Sequence, residues 1–183
     1  LVTEFTGTAD LSVLSGVGIG APNGNYYNGT IEYAPNLAFK GIVNLVQLVA
    51  QELKFDKVVL TNDANAAAIG EQIYGGAVNM RNFAMITLGT GVGSGYVVNG
   101  ELVYGHDGFA GEFGHTLLIP GGRVCGCGIP GHVEAYCSAT GIKRTAAEML
   151  AYYNNTESEL ANIPFNKIEA YDVYKAVQNG DKM

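Results

Sequence analysis

Up to about residue 75, short apolar runs alternate with an amphipathic stretch. A glycine-rich apolar run at 13–20 predicts a buried strand that ends in a loop, and the β-branched run at 58–60 predicts a parallel strand. Between them, apolar residues recur at helical spacing from Leu37 to Leu53, which predicts a helix with one buried face. A strand, a helix and a parallel strand in this order are typical of α/β folds.

A second helix is predicted directly after the strand at 58–60. It starts at Asn62 and Asp63, both good cap residues, and continues through alanines to Tyr74, where Gly75 and Gly76 end it. The Asp63 carboxylate therefore lies at a strand-to-helix junction, where open α/β sheets bind ligands and where it can accept a proton from a substrate hydroxyl. Ordinary helix capping is the alternative, but with two adjacent short polar side chains one can cap while the other points into the cleft.

After residue 75 the pattern changes to a hairpin-led layout, and we place a domain boundary between Gly75 and Arg81. Asn99-Gly100 is a hairpin signal, and residues 105–132 are predicted to be irregular. The other predicted elements are strands at 82–88, 96–98 and 101–104, a tight glycine turn at 89–95, a helix at 133–153 that breaks near Gly141, and a last helix at about 168–178.

Composition narrows the function classes. The chain has 10 Lys and Arg against 17 Asp and Glu, a net charge of −7, which argues against a nucleic-acid-binding surface. Apolar residues make up 48% and charged residues 15%, as in globular chains, and no apolar run approaches the ~18–20 residues of a membrane span. The sequence has no initial methionine and no targeting segment, so we expect its native N-terminus to be missing.

The three cysteines suggest metal binding rather than disulfides. They cannot all pair, and Cys125 and Cys127 are too close in sequence to bridge each other, which favours a reducing, cytoplasmic compartment. With His115 and His132 they form the pattern H-x9-C-x-C-x4-H, a donor set suited to tetrahedral zinc. Two free cysteines and two surface histidines are the less favoured alternative. Cys137 is predicted to be a small core residue, and His106 to lie in a turn without a role.

Two further groups carry candidate chemistry. In the stretch LGTGVGSG at 88–95, bare glycine backbone and the Thr90 hydroxyl can cradle phosphate oxygens, although the pattern is neither a Walker loop nor a Rossmann fingerprint. A glycine-rich turn without a ligand is the alternative. Glu112 and Glu134 each lie within three residues of a proposed metal ligand, and carboxylates fixed in this way can accept hydrogen bonds from a polyol. Two unrelated surface glutamates are the alternative.

In this order the motifs resemble the ROK family of sugar kinases and repressors, within the actin-like ATPase superfamily. The matching segments are GVGIGAPNG at 16–24, APNL at 34–37, TNDANAAAIGE at 61–71, ITLGTGVGSG at 86–95, GFAGEFGH at 108–115 and CGCG..GH.EAYCSATGI at 125–142. The resemblance implies a two-lobed actin-like ATPase (ribonuclease H-like) α/β fold. Residues 1–78 would be the C-terminal part of the N-terminal lobe, and residues 79–183 would be the N-terminal part of the C-terminal lobe.

The resemblance also implies residue roles. Asp63 would be the catalytic base that takes the proton of the sugar hydroxyl attacking the γ-phosphate of ATP. His115 would bind zinc through one ring nitrogen and face a sugar hydroxyl with the other. The sugar contacts would be Gly24, Asn36, Asn62, Asp63, Glu112, His115 and Glu134. The phosphate contacts would be Gly89, Thr90, Gly91 and Gly93. The zinc ligands would be His115, Cys125, Cys127 and His132.

The implied activity is ATP- and Mg²⁺-dependent phosphorylation of a hexose, with glucose as the first expectation and a homodimer or homotetramer as the full-length assembly. A sugar-responsive repressor is one alternative, and a kinase for another hexose such as N-acetylmannosamine or fructose is a second. A structural zinc module without enzymatic activity is a third.

Two departures from the family pattern matter. His132 occupies a position where the family commonly has a third cysteine, an exchange that zinc accepts. The family's first phosphate-binding turn, Asp-x-Gly-Gly-Thr, does not occur in these 183 residues. Because phosphoryl transfer depends on positioning and charge neutralisation, we expect this chain alone to be nearly inactive.

Overall fold

The computed structural model describes residues 14–34, 37–154 and 157–181, so Asn36 lies outside the described residues. The chain divides into two compact units: unit 1 is Leu1–Met85 with Ser94–Gly111, and unit 2 is Ile86–Gly93 with Glu112–Met183. The strands are β1 (Val17–Gly20), β2 (Gly24–Asn25), β3 (Thr30–Glu32), β4 (Ile42–Val43), β5 (Val58–Thr61), β6 (Phe83–Leu88), β7 (Val92–Val98) and β8 (Glu101–Leu102). The helices are α1 (Leu45–Leu53), α2 (Asp63–Tyr74), α3 (Glu134–Cys137), α4 (Ala139–Tyr153) and α5 (Ala170–Gln178).

Unit 1 contains a parallel pair of strands. β1 and β5 run in register, with Gly20 opposite Thr61, and the other sheets have the orders β2-β3-β4 and β6-β7-β8. Leu60 of β5 is 1% exposed and packs with Ala21, Ile31 and Ala34. The predicted strand at 58–60 is confirmed. The strand predicted at 13–20 is confirmed only over Val17–Gly20, and its prediction as a buried strand is wrong, because β1 alternates between half-buried and exposed residues. Because the pair is parallel, both carboxyl ends meet at one edge.

The first helix is shorter than predicted. The expected start at Leu37 is wrong, since α1 begins at Leu45 and the preceding Ile42–Val43 forms β4, antiparallel to β3. β-Branched side chains favour strands, and a pairing partner was available. Asn44 then caps the helix by accepting a hydrogen bond from the Gln47 amide at 3.1 Å. The apolar residues of α1 are only partly covered by the core of unit 1.

The second helix has the predicted ends. The Asn62 side chain accepts a hydrogen bond from the Ala64 amide at 2.8 Å, and Gly75 is the C-terminal cap residue. α2 packs closely on β7, because a Cβ on Gly95 would lie 2.7 Å from the Cβ of Ala68. The glycine at 95 is thus explained by helix–strand packing rather than by a ligand.

The glycine turn is also shorter than predicted. β6 ends at Leu88 and β7 already begins at Val92, so Gly93 lies in a strand. The hairpin prediction is confirmed: Asn99 and Gly100 have φ of 56° and 89°, and they join β7 to β8. Two consecutive positive φ angles are the type I′ geometry, whose twist matches that of the flanking strands. β8 ends at Leu102, earlier than predicted.

The predicted helix at 133–153 divides at Ser138, not at Gly141. Ser138 is extended, and its hydroxyl accepts a hydrogen bond from the Gly141 amide at 3.1 Å, so that it caps α4. Gly141 lies in the first turn of α4, where a Cβ would lie 2.6 Å from the Tyr136 backbone. The prediction that Cys137 is a core residue is wrong, because its side chain is exposed. The core of unit 2 consists of Ala146, Leu150, Leu160, Ile168 and Ala176.

Within the described ranges, no helix combines the length and the apolar character that crossing a lipid bilayer requires.

Candidate functional site

Four side chains of unit 2 form a candidate metal centre. The ligand atoms of His115, Cys125, Cys127 and His132 all lie within 4.8 Å of one another. The Nδ1 atoms of the two histidines are 3.3 Å apart, and each faces one sulfur, at 3.8 Å from Cys125 and 3.3 Å from Cys127. Zinc–ligand bonds of about 2.0–2.3 Å place tetrahedral ligand atoms roughly 3.3–3.8 Å apart. The donor set therefore fits zinc, and the three pairs at 3.3–3.8 Å have the tetrahedral spacing, whereas the cluster as a whole, within 4.8 Å, would contract slightly around the ion.

Backbone hydrogen bonds form a tight turn within the metal loop, residues 119–132. The Gly128 amide donates to the Cys125 carbonyl at 2.9 Å, and the Cys125 amide donates to Ile129 at 3.1 Å, which makes a tight turn around the two cysteines. Gly131 has a φ of 92°, and a Cβ there would collide with the Ile119 carbonyl. A side chain at 131 would thus strain the segment that leads into His132.

The carboxylate of Glu134 adjoins the metal centre. Cys125 is 4% exposed, and its thiol donates to Glu134 Oε1 at 3.2 Å. Burial, and after it the hydrogen bond and charge of Glu134, raise the pKa of the Cys125 thiol to about 11. Metal binding requires the thiolate, so it would release the thiol proton with which Cys125 donates its hydrogen bond to Glu134.

The backbone of Val92 joins the glycine turn to two predicted sugar-binding segments within unit 2. The Val92 amide donates to Glu134 Oε2 at 3.1 Å. A Cβ on Gly91 would lie 2.5 Å from the same oxygen, and a Cβ on Gly114 would collide with the Val92 carbonyl. Gly114 lies in the short 3₁₀ turn that follows Glu112. Gly114 is therefore required for this close approach of two backbones, whereas a side chain at 91 would displace the Glu134 carboxylate.

His115 presents its two ring nitrogens to different surroundings. Nδ1 lies in the metal centre, whereas Nε2 is 3.9 Å from Glu112 Oε2. Both side chains are substantially exposed, at 38% and 48%. With Nδ1 on a metal, Nε2 carries the ring proton and can donate a hydrogen bond.

A cavity of about 200 Å³ adjoins the turn at Thr90. The Gly89 carbonyl accepts a hydrogen bond from the Ala139 amide at 2.9 Å, which attaches the turn to the first residue of α4. Hydroxyls and the N-terminal end of a helix are favourable surroundings for an anion. The cavity is lined by Thr90, Val124, Cys125, Gly126, Glu134, Ala135, Ser138, Thr140, Gly141 and Arg144.

In unit 1, three predicted site residues gather at the carboxyl edge of β1 and β5. A Cβ on Gly24 would lie 2.5 Å from the Thr61 carbonyl, so this position needs glycine. Asn62 and Asp63 follow Thr61 directly, and both side chains accept a hydrogen bond from the Ala64 amide, at 2.8 and 2.9 Å. Asp63 is exposed at the first turn of α2.

Asn25 is a fully buried polar side chain in unit 1 that could not be identified from the sequence pattern. Its Oδ1 accepts hydrogen bonds from the amides of Tyr27 and Asn28, and its Nδ2 donates to the Asp107 carbonyl at 2.9 Å. The turn-rich sequence signals the local bonds, because asparagine side chains commonly fold back on their own backbone. It carries no signal for the bond to Asp107, which is 82 residues away. His106 lies exposed in the same loop.

The described elements form a mixed α/β fold that matches solved structures of the actin-like ATPase class. The sequence model described as "ROK family" matches residues 2–183, and the chain belongs to the ROK family. It is 39% identical over 172 residues to a glucokinase of Halalkalibacterium halodurans, covering 93% of this chain and 52% of the relative.

Two solved structures extend the comparison. A ROK family glucokinase from Streptomyces griseus, in complex with glucose and AMPPNP, is 35% identical with a TM-score of 0.77, covering 92% of this chain and 55% of that one. A ROK family transcriptional regulator, a homologue of E. coli MLC, is 26% identical with a TM-score of 0.80, covering 99% of this chain and 45% of that one. The chain thus spans about half the length of the curated relatives that it matches.

Proposed function

We propose that this chain supplies the sugar-binding residues and one phosphate-binding turn of an ATP-dependent hexose kinase, with glucose as the acceptor. The observation that carries the proposal is the position of Glu134 in unit 2. Its carboxylate contacts a zinc-type ligand through Oε1 and the glycine turn through Oε2. The glucokinase relatives support glucose as the substrate.

In this proposal, Asp63 is the catalytic base. Its carboxylate is exposed at the N-terminal end of α2, where a substrate hydroxyl can reach it and give it a proton. The proton comes from the sugar hydroxyl as that oxygen attacks the γ-phosphate of ATP. Asn62 and Gly24 are proposed as neighbouring sugar contacts.

Glu112, His115 and Glu134 are proposed to orient the sugar. Carboxylates accept hydrogen bonds from sugar hydroxyls, and the Nε2–H of His115 donates one. A metal-bound thiolate at Cys125 has no proton to donate, which leaves Glu134 Oε1 available for a sugar hydroxyl. Zinc in this site would order the loop without taking part in the reaction. Mg²⁺ would accompany ATP and neutralise phosphate charge.

The phosphate-binding part of the proposal involves Gly89, Thr90, Gly91 and Gly93. The cavity beside Thr90 and its position at the N-terminal end of α4 support a phosphate contact at the turn 89–91. Gly93 is the weakest member of this set, because it lies within β7 rather than in the turn.

Two variants of the full-length gene product test the proposal. Asp63→Asn keeps the shape of the side chain but removes the base, so turnover of glucose should fall by a factor of about 10²–10⁴ while glucose binding persists. Glu134→Gln should weaken glucose binding about tenfold or more, the effect of a lost charged hydrogen bond. Turnover is measured by coupled detection of ADP, and binding by calorimetry. Wild-type rates in Asp63→Asn would contradict the assigned base.

A sugar-responsive repressor is the second candidate, because the MLC homologue shares the fold over nearly the whole chain. A repressor would bind sugar without turnover, and Asp63→Asn would then change no rate. The same assay run with glucose, N-acetylmannosamine and fructose compares the hexoses. We expect the highest kcat/KM for glucose, and a different preferred hexose would correct the substrate while keeping the kinase.

A further inference from the structure

Arg123 makes an unusual number of contacts for a residue in a glycine-rich loop. Its side chain is 11% exposed. Nη1 donates to Thr145 Oγ1 at 2.8 Å and to the carbonyls of Ala135 and Gly141 at 3.4 and 3.3 Å. Nη2 forms an ion pair with Glu148 at 2.6 Å. One guanidinium therefore connects the metal loop with both α3 and α4.

Tyr136 of α3 holds the same residue from a second direction. The Arg123 guanidinium carbon lies 4.7 Å from the centre of the Tyr136 ring. The Arg123 amide also donates to the Tyr136 hydroxyl at 2.8 Å, and a Cβ on the preceding Gly122 would collide with that hydroxyl. The side chain and the backbone of Arg123 thus both contact the helix that begins with Glu134, the first through the Tyr136 ring and the second through the Tyr136 hydroxyl.

The backbone of Arg123 is also the base of the turn that carries the metal ligands. Its carbonyl accepts a hydrogen bond from the Gly131 amide at 2.8 Å. Cys125 and Cys127 lie between these two residues, and His132 follows directly. A shift of Arg123 therefore moves both sulfur ligands relative to α3.

We propose that Arg123 is a positioning residue, which holds the base of the metal loop against the α3–α4 junction and so reduces the order that zinc has to impose on its ligands. This inference rests on the proposed zinc-dependent sugar site. The planar, forked guanidinium can serve two carbonyls, a hydroxyl and a carboxylate at once, whereas a lysine ammonium is a point donor. Preorganisation of this kind increases affinity because less order has to be created on binding.

Three variants of the zinc-free protein test the inference. In Arg123→Met the contacts of the guanidinium are lost, and in Arg123→Lys the charge stays while the fork is removed. In Lys143→Met an ion pair elsewhere on α4, between Lys143 and Glu169 at 3.1 Å, is lost as the matched control. Zn²⁺ affinity is measured by competition with a chromophoric chelator, and the site geometry by the absorption spectrum of the Co²⁺ form.

We expect Arg123→Met to lower Zn²⁺ affinity by about 10–100-fold, the range found for residues that orient metal ligands. Arg123→Lys should recover only part of the loss, and Lys143→Met should bind as the wild type does. At saturating Co²⁺, the Arg123→Met spectrum should still be tetrahedral, because all four ligands remain. Wild-type Zn²⁺ affinity in Arg123→Met would overturn the inference.

If Arg123→Met does not fold, as judged by near-UV circular dichroism, Arg123→Lys decides, and unchanged affinity in that variant overturns the inference. The two proposals fail differently. A wild-type protein that binds no Zn²⁺ contradicts the zinc site itself. A wild-type protein that binds Zn²⁺ with the same affinity as both Arg123 variants contradicts only the role of Arg123.

Discussion

The candidate site residues of unit 1 and unit 2 are ordered in different ways. In unit 1, Asn62 and Asp63 follow a strand whose Leu60 is buried, and their helix is capped at both ends. In unit 2, the metal loop, which the structure describes in full, contains no regular strand, only isolated bridges that pair Val124 with Pro130 and Leu117 with His132, and it owes its order to backbone turns, Arg123 and a cluster of metal-type ligands. Regular elements that pack on a core can hold an exposed polar side chain in place, whereas a loop poor in apolar residues needs side-chain contacts or a metal.

Metal removal should separate the two regions most clearly. Structural zinc in small peptides contributes about 10–16 kcal/mol of binding free energy that is also folding free energy. After chelation, we expect amide hydrogen exchange in the metal loop to accelerate by two orders of magnitude or more, while the amides of β1 and β5 keep their protection. Exchange is followed by mass spectrometry of peptides from each unit.

A pair of cysteine variants provides the control for this experiment. Cys127→Ser should reproduce the effect of chelation, because Cys127 belongs to the metal cluster. Cys137→Ser should bind zinc normally, since Cys137 is exposed and lies outside the cluster. Equal exchange in the metal-free and metal-loaded protein would show that the loop is ordered without metal.

The reverse test disturbs the core of unit 1. Leu60→Ala removes a side chain that is almost fully buried, and such truncations cost about 2–5 kcal/mol. Val59→Ala is the matched control, because Val59 is exposed on the same strand. Urea unfolding gives the change in stability, and metal analysis gives the zinc content, which should stay at the wild-type value in both variants. A loss of zinc in Leu60→Ala would contradict the separation of the two regions.

The difference between regular elements and the metal loop also bears on which features could be predicted from the sequence. The ends of α2 follow from Asn62 and Gly75, and the four members of the His/Cys cluster follow from their spacing, because both signals are local. The predicted start of α1 was wrong because the true start depends on the pairing of β4 with β3, which is not a local signal. The break predicted near Gly141 was also misplaced. The helical region divides at Ser138, whose hydroxyl caps α4 by accepting a hydrogen bond from the Gly141 amide, and in the sequence the glycine is the stronger break signal.

Other features could not be predicted because they depend on tertiary contacts. The contacts of Arg123 go to carbonyls that become available only when α3 and α4 meet. The glycines of the 88–95 stretch looked alike in the sequence, yet they differ in the structure. Gly91 lies against the Glu134 carboxylate and Gly95 against α2. The glycine enrichment thus indicated that other atoms lie close to this backbone, but it did not indicate whether they belong to a side chain, a helix or a ligand.

The smallest expected effect concerns the ion pair between Arg123 and Glu148. Hydrogen bonds from Arg144 and then from Arg123 lower the pKa of Glu148 below its ordinary value. A carboxyl group whose pKa is lowered in the folded state stabilises the protein above its unfolded pKa, and this contribution disappears as the pH falls through the folded pKa. Because Glu148 is largely exposed, solvent screening keeps the contribution small.

Unfolding by urea, compared for the wild type and Glu148→Gln between about pH 6 and about pH 3, measures this contribution. The wild type should be slightly more stable at the upper end, and the difference should shrink as the pH falls below the ordinary pKa of glutamate. A difference that does not change with pH would mean that Glu148 acts through packing or hydrogen bonding alone. Arg123 would then hold the metal loop through its carbonyl and ring contacts without any contribution from charge.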